Sequence, residues 1–208
     1  MKYLLKVFLG LLCFAGVAQA EIIAPDVLIR TTVDEVLAIV KSDKDIKAGN
    51  QQKILEMVES KVLPHFDFVH MTRLSVGKSW RAATPEQKQA LVKEYRDILV
   101  RTYTKAFTVY RDQTVDVKPL KMAADATEVT IKTSINKPGA APIPVNYEME
   151  KGADTWKVFD LTIEGVSLVT SYRGTFNSEI QEKGIDGLIK TLADKNKSAA
   201  ALRTAEAK

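Results

Sequence analysis

The stretch Trp156–Phe176, WKVFDLTIEGVSLVTSYRGTF, changes its hydrophobic period halfway along. Val158, Phe159, Leu161 and Ile163 form an apolar run that alternates only loosely, as a buried strand does. Beyond Gly165, the residues Val166, Val169, Tyr172 and Phe176 recur at helical spacing, so one segment carries a sheet directly into a helix. A strand that is apolar on more than one side needs cover on both faces. The remainder of the chain has to provide it.

The first candidates for that cover are helices. Val27, Val33, Val36, Leu37 and Val40 give an amphipathic helix from Pro25 to about Lys47. Asn50 is a good N-cap for a second, which runs through Ile54, Leu55, Val58 and Val62 until Pro64 ends it. Asp67 caps a short third helix that stops at Gly77. The clearest start signal is Thr84-Pro85-Glu86-Gln87: an N-cap, proline at the first helical position, and the glutamine of a capping box. The helix it opens meets no Gly or Pro until about Tyr110, a length of roughly 39 Å at 1.5 Å per residue. Its stripe of Leu91, Tyr95, Ile98, Leu99, Thr102, Ala106 and Val109 is widened by Val92, Tyr103, Phe107 and Tyr110. More than half its circumference therefore wants a partner.

The period then changes to two. Thr114–Lys118, Glu128–Asn136, Ile143–Glu150 and Trp156–Glu164 read as four strands, parted by turn residues at Ala124-Asp125, Lys137-Pro138-Gly139 and Gly152-Ala153-Asp154. Connections this short make an antiparallel meander. After the Gly165 helix, Gly184 marks an end and Asp186 starts a last short helix with Leu188, Ile189 and Leu192. The Ala/Lys-rich segment 196–208 reads as a flexible tail. The expected fold class is α+β: N-terminal helices, one long helix, a curved antiparallel four-stranded sheet, then C-terminal helices. Residues 21–195 form one domain.

Residues 1–20 read as a secretory signal peptide. Lys2 and Lys6 precede an apolar run from Val7 to Val17, and Ala18-Gln19-Ala20 is a small-x-small cleavage site, placing the cut after Ala20. The apolar run is short for a bilayer span. The single cysteine, Cys13, lies inside this segment behind Leu11 and Leu12 rather than small residues, which argues against lipidation. The exported chain then has no cysteine and depends on its core rather than on disulfides. Loss of Lys2 and Lys6 lowers the net charge from +4 to +2, far from the footprint of a nucleic-acid binder.

The usual signals of catalysis are missing. His65 and His70 are five apart, off one helical face and without HExxH spacing, so no metal site is expected. They read as flanking a helix start. Ser167, in Gly165-Val166-Ser167-Leu168-Val169, lacks the second glycine of a nucleophile elbow and reads as support for the following helix. Asp160 interrupts the apolar strand beside Phe159. It could serve as a base of raised pKa in an isomerase- or hydratase-type enzyme, or it could be bonded structurally to an arginine or a helix end. The long helix and sheet also present more apolar surface than their contact needs, which suits a tight core or a lined cavity.

Several blocks are shared with one family. They begin with Phe66-Asp67-Phe68, Met71-Thr72-Arg73-Leu74, Gly77-Lys78-Ser79-Trp80, Thr84-Pro85-Glu86-Gln87 and Leu99-Val100-Arg101-Thr102-Tyr103. They continue with Asn146-Tyr147-Glu148, Trp156-Lys157-Val158-Phe159-Asp160, Glu164 to Val169, Tyr172-Arg173-Gly174-Thr175-Phe176 and Gly184 to Ile189. On these blocks the chain resembles the MlaC, or toluene-tolerance auxiliary, family of periplasmic phospholipid-binding proteins.

The resemblance implies an NTF2-like cone elaborated with helices around an apolar pocket. It implies a monomeric periplasmic carrier with no cofactor and phospholipid as its cargo. Its partners would be an outer-membrane lipoprotein–porin complex and an inner-membrane ABC transporter complex with an MCE-domain protein, and its role the maintenance of outer-membrane lipid asymmetry. The expected pocket residues are Leu99, Tyr103, Val129, Ile131, Val145, Tyr147, Val158, Phe159, Val166, Val169 and Tyr172. Arg73, Arg101 and Arg173 are candidates for a headgroup rim, since guanidinium suits phosphate oxygens. The alternative for these three is pairing with Asp160, Asp67 or another carboxylate. A non-binding adaptor with a filled core is the third reading.

Overall fold

The structure, a computed structural model, describes residues 22–108 and 113–206. The signal segment 1–20, with Cys13, and the end of the expected long-helix stripe at Val109 and Tyr110 lie outside the described residues.

The helix boundaries follow the caps. Helix α1 is Pro25–Ser42, and Asp43 stops it while capping α2, Lys44–Lys47, through bonds from the Asp45 and Ile46 amides. The single helix expected to about Lys47 is thus two. Asn50 accepts from the Lys53 amide to open α3, Gln51–Met57, and Asp67 accepts from the His70 amide at 2.7 Å to open α4, Phe68–Val76. At α5, Pro85–Thr108, the capping box is reciprocal: Gln87 N donates to Thr84 Oγ1 and Thr84 N donates to Gln87 Oε1. Each cap gives a partner to helix-end amides that have none within the helix.

Between α3 and α4 the chain departs from the helix expected as far as Pro64. Val58–Val62 is a π-helical turn and Leu63–His65 a 3₁₀ turn. The Leu63 amide donates to Val58 O, five residues back, so Leu63 sits beneath Val58 with Val62 beside it. An α-helical i→i−4 register would swing Leu63 away from that face.

The sheet is antiparallel in the order β1 (Thr114–Val117), β2 (Glu128–Asn136), β3 (Ile143–Lys151), β4 (Trp156–Ile163) and β5 (Val166–Ser167). Four strands follow the period-two pattern; the fifth corrects it. Glu164 and Gly165 both have positive φ, 49° and 83°, which a two-residue hairpin of the primed type requires. Ile163 therefore pairs with Val166, and the helix starts only at Leu168. An added Cβ at Gly165 would meet no atom within 4 Å, so only the backbone resists one. Gly165→Ala should lower stability by about 1–2 kcal/mol, the cost of a left-handed L-residue, read as a shift in the urea midpoint.

The far edge of β4 is covered twice, by β5 and by a bridge in which the Asp67 amide donates to Val158 O at 2.8 Å. That bridge fixes α4 to the sheet. Helix α6, Leu168–Glu206, breaks at Gly184, where φ is 72°, and its second limb folds back on α5. Asn196 Nδ2 donates to the Glu94 carbonyl and carboxylate, so helix continues into the segment expected as a flexible tail.

Candidate functional site

Three apolar clusters form the interior. Helices α4, α5 and α6 share one, with Met71, Leu91, Tyr95, Leu99 and Phe176 at its centre. The inner face of the sheet packs on the start of α1 through Leu28, Ile29, Ile131, Met149, Trp156 and Val158. The end of α1 joins α2, α3 and the π turn through Val36, Val40, Ile46, Ile54, Met57 and Val58. Phe66 and Leu161 touch both of the first two.

The first and third clusters meet along α5 around a cavity of about 90 Å³. Val58, Val62 and Leu63 form one wall; Phe66, Phe68, Met71 and Leu168 form the other. Leu99, Val100, Tyr103, Thr104 and Phe107 of α5 run along its base. Among the described lining residues, only Tyr103 and Thr104 bring a side-chain nitrogen or oxygen to it. Such a lining offers water few partners and favours apolar matter. The reason it sits here lies in α5, whose buried face rotates along its length. Leu91, Tyr95, Ile98 and Leu99 are buried toward α6, whereas Thr102 and Ala106, expected on the same stripe, are exposed. Val100, Thr104 and Phe107 line the cavity instead, and Phe107 packs on the third cluster.

Of the residues expected in a pocket, Leu99 and Tyr103 line this cavity; Leu99 is buried and Tyr103 is exposed enough to stand at its mouth. Val129, Ile131, Tyr147 and Val158 pack in the sheet cluster, and Val145 is buried in β3 opposite Thr133. Phe159, Val169 and Tyr172 belong to the α4–α5–α6 cluster, where Tyr172, Tyr95 and Phe176 form an aromatic triad with centroids 4.9–5.4 Å apart. Val166 is 58% exposed on β5. The walls given by the π turn and by Phe66, Phe68 and Met71 were missed. The Phe66-x-Phe68 pair and the apolar residues crowded before Pro64 were the available signal.

The arginines are dispersed. Arg73 is exposed on α4, Arg173 Nε donates to Leu74 O at 2.9 Å, and Arg101 bonds Asn196 Oδ1 and lines, with Tyr172, a second pocket of about 340 Å³ between α5 and α6. Asp67 serves α4 as its cap. Asp160, 8% exposed, accepts from the Leu161 and Val169 amides on Oδ1 and from the Ser167 hydroxyl on Oδ2. It ties the end of β4 to the start of α6, while Ser167 Oγ accepts from Thr170 N as a helix start requires.

His70 is buried: its Nδ1 lies 2.7 Å from Glu150 Oε1 and its ring stacks on Phe159. Burial raises the phenol pKa values of Tyr95, Tyr103 and Tyr172, the last opposed by Arg101, so all three stay neutral hydroxyls. Among the described residues no cluster of three His, Cys, Asp or Glu could hold a metal ion, and no helix is long and apolar enough to cross a membrane.

A family model described as "MlaC protein" matches residues 30–194. The chain is similar to an intermembrane phospholipid transport system binding protein MlaC from Haemophilus influenzae, 22% identical over 80% of this chain and 79% of the relative. It is also similar to a toluene tolerance protein, Ttg2D, from Pseudomonas putida, 26% identical over 78% of this chain and 75% of that one. A solved phospholipid-binding protein from Ralstonia solanacearum, in complex with a phospholipid, superposes with a TM-score of 0.78 at 37% identity. That match covers 84% of this chain and 98% of the Ralstonia chain.

Proposed function

The chain belongs to the MlaC family, and on that basis we propose that it is a phospholipid carrier of the periplasm, holding acyl chains in the cavity along α5. The observation that carries this reading is an apolar-lined cavity at the seam of two core clusters, in a fold shared with a protein solved in complex with a phospholipid. The carrier takes lipid between an outer-membrane lipoprotein–porin complex and an inner-membrane transporter complex with its MCE-domain protein, and so maintains outer-membrane lipid asymmetry. It works as a monomer, exported by residues 1–20. Asp160 supports the non-enzymatic reading, since both its oxygens hold the β4–α6 junction together.

Burying a methylene gains about 0.8 kcal/mol, so two chains of roughly 28 methylenes in all gain about 22 kcal/mol gross. That exceeds the affinities that non-covalent complexes reach, about 18–21 kcal/mol, so ordering and wall movement must offset part of it. Loss of lipid into water is then negligible. Exchange with a membrane, where the chains are equally dry, is nearly balanced, and direction comes from the partners.

Protein purified from the periplasm, extracted with organic solvent and read by mass spectrometry, should yield glycerophospholipid of mixed headgroups. Empty protein, or a soluble metabolite in its place, overturns the reading.

A further inference from the structure

The cavity is too small for its cargo. A cavity of about 150 Å³ takes one benzene, and this one measures about 90 Å³. Its walls must part for an acyl chain, and the structure shows where a second space adjoins it. A groove of about 390 Å³ lies outside α5, lined by Leu55, Glu59, Arg96, Asp97, Val100 and Arg101 among others. Val100, 8% exposed, lines both spaces and is the partition between them.

We propose that this groove is the portal of the lipid cavity, and that Arg96 there binds the phosphate of the incoming lipid in exchange for Glu59. The proposal rests on the carrier reading above and adds the place of entry and the group that recognises the cargo.

Arg96 stands on the boundary. Its Nη2 lies 3.6 Å from Glu59 Oε1 and its Nη1 3.3 Å from Asp97 Oδ1. Its guanidinium carbon is 5.8 Å from the centroid of Phe68, which belongs to the cavity wall. Arg96, Val100 and Thr104 follow at i, i+4 and i+8, a single line along α5 from the groove into the cavity. Glu59 sits within the π turn, between the wall residues Val58 and Val62. One ion pair, half exposed on the glutamate side, thus ties the least regular wall of the cavity to α5.

A phosphodiester offers two anionic oxygens in the geometry a guanidinium fork matches. When it replaces the Glu59 carboxylate, Arg96 remains paired throughout, so the exchange costs little charge desolvation. It also frees the π turn to move from α5 while the chains thread past Val100. Phosphate is common to all glycerophospholipids, so this recognition leaves the rest of the headgroup in solvent and unread.

The test compares wild-type protein with Glu59→Gln and Arg96→Gln, both at partly exposed side chains. The readouts are phospholipid held per protein and the rate of fluorescent phospholipid transfer between phosphatidylglycerol–phosphatidylethanolamine vesicles. Glu59→Gln removes the latch and keeps the phosphate ligand. Its transfer should be about two- to fivefold faster, the range an exposed ion pair supports, with lipid still bound. Arg96→Gln removes both and should retain at least about tenfold less lipid against competing vesicles, as loss of a charged hydrogen bond allows.

If Arg96 were only a structural ion-pair partner, the two variants would behave alike, and that result overturns the portal. So does inorganic phosphate that binds the wild type in an Arg96-dependent way yet leaves the phospholipid held per protein unchanged, since the groove would then be an anion site independent of the lipid. Wild-type protein that carries no phospholipid at all instead sinks the carrier reading itself, which keeps the two failures distinct.

Discussion

Asp160→Ala is expected to cost about 3–5 kcal/mol of stability, measured by urea denaturation. The side chain is buried and accepts three hydrogen bonds, at 2.8 Å from Leu161 N, 3.0 Å from Val169 N and 2.5 Å from Ser167 Oγ. Alanine leaves the two amides without their acceptor, and each buried orphan costs about 1–3 kcal/mol, while the Ser167 hydroxyl turns to Thr170 Oγ1 at 3.1 Å. Relaxation of the α6 start, with entry of water, keeps the total below the sum. Asp160→Asn retains an acceptor for the amides, and the Ser167 hydroxyl can reverse its role, so the loss should fall to about 1–2 kcal/mol. The pair of variants separates two roles for this carboxylate. A structural cap predicts a graded loss of stability, with lipid content and envelope function preserved in Asp160→Asn. A base predicts lost function at nearly unchanged stability in the same variant. A loss under about 1 kcal/mol for Asp160→Ala would remove the cap.

Local chemistry makes most of the fold legible in the sequence. Asn50, Asp67 and Thr84-Pro85-Glu86-Gln87 each cap the helix they announce, because a cap is a contact within four residues and is written in sequence order. The strands followed from alternation. What sequence did not disclose depends on non-local contact. Strand β5 exists because Glu164 and Gly165 turn tightly enough for Val166 to reach Ile163, and two residues carry no period of their own. The π turn has the same apolar spacing as the helix expected there; only its hydrogen-bond register differs. The sheet residues Val129, Ile131, Tyr147 and Val158, expected to line a pocket, pack in the cluster that Leu28 and Ile29 of α1 close. Hydrophobic pattern tells which side of an element is buried. It does not tell which of several buried seams is left open.

That distinction sets the second large effect. Val62→Trp should lower the phospholipid recovered per protein at least about tenfold, since 1.4 kcal/mol of lost binding already suffices for one decade. Val62 is half-buried on the π turn and lines the cavity beside Leu63. An indole directed into the cavity fills space that the acyl chains would need. The site accepts this without the full strain of an overpacked core, about 1–3 kcal/mol, because Val62 is already open to solvent on one side. Val145 and Val169 make poorer probes: they are buried, 6% and 3% exposed, so tryptophan would disturb the fold before it reached a ligand. Val166→Trp is the matched control, being 58% exposed on β5 and off the cavity lining, and it should leave lipid recovery unchanged. Lipid extraction and mass spectrometry on both variants, with thermal midpoints to confirm folding, decide between the seams. Loss confined to Val62→Trp places the acyl chains along α5. Loss confined to Val166→Trp would instead return the binding site to the sheet side, where the period of Trp156–Phe176 first pointed.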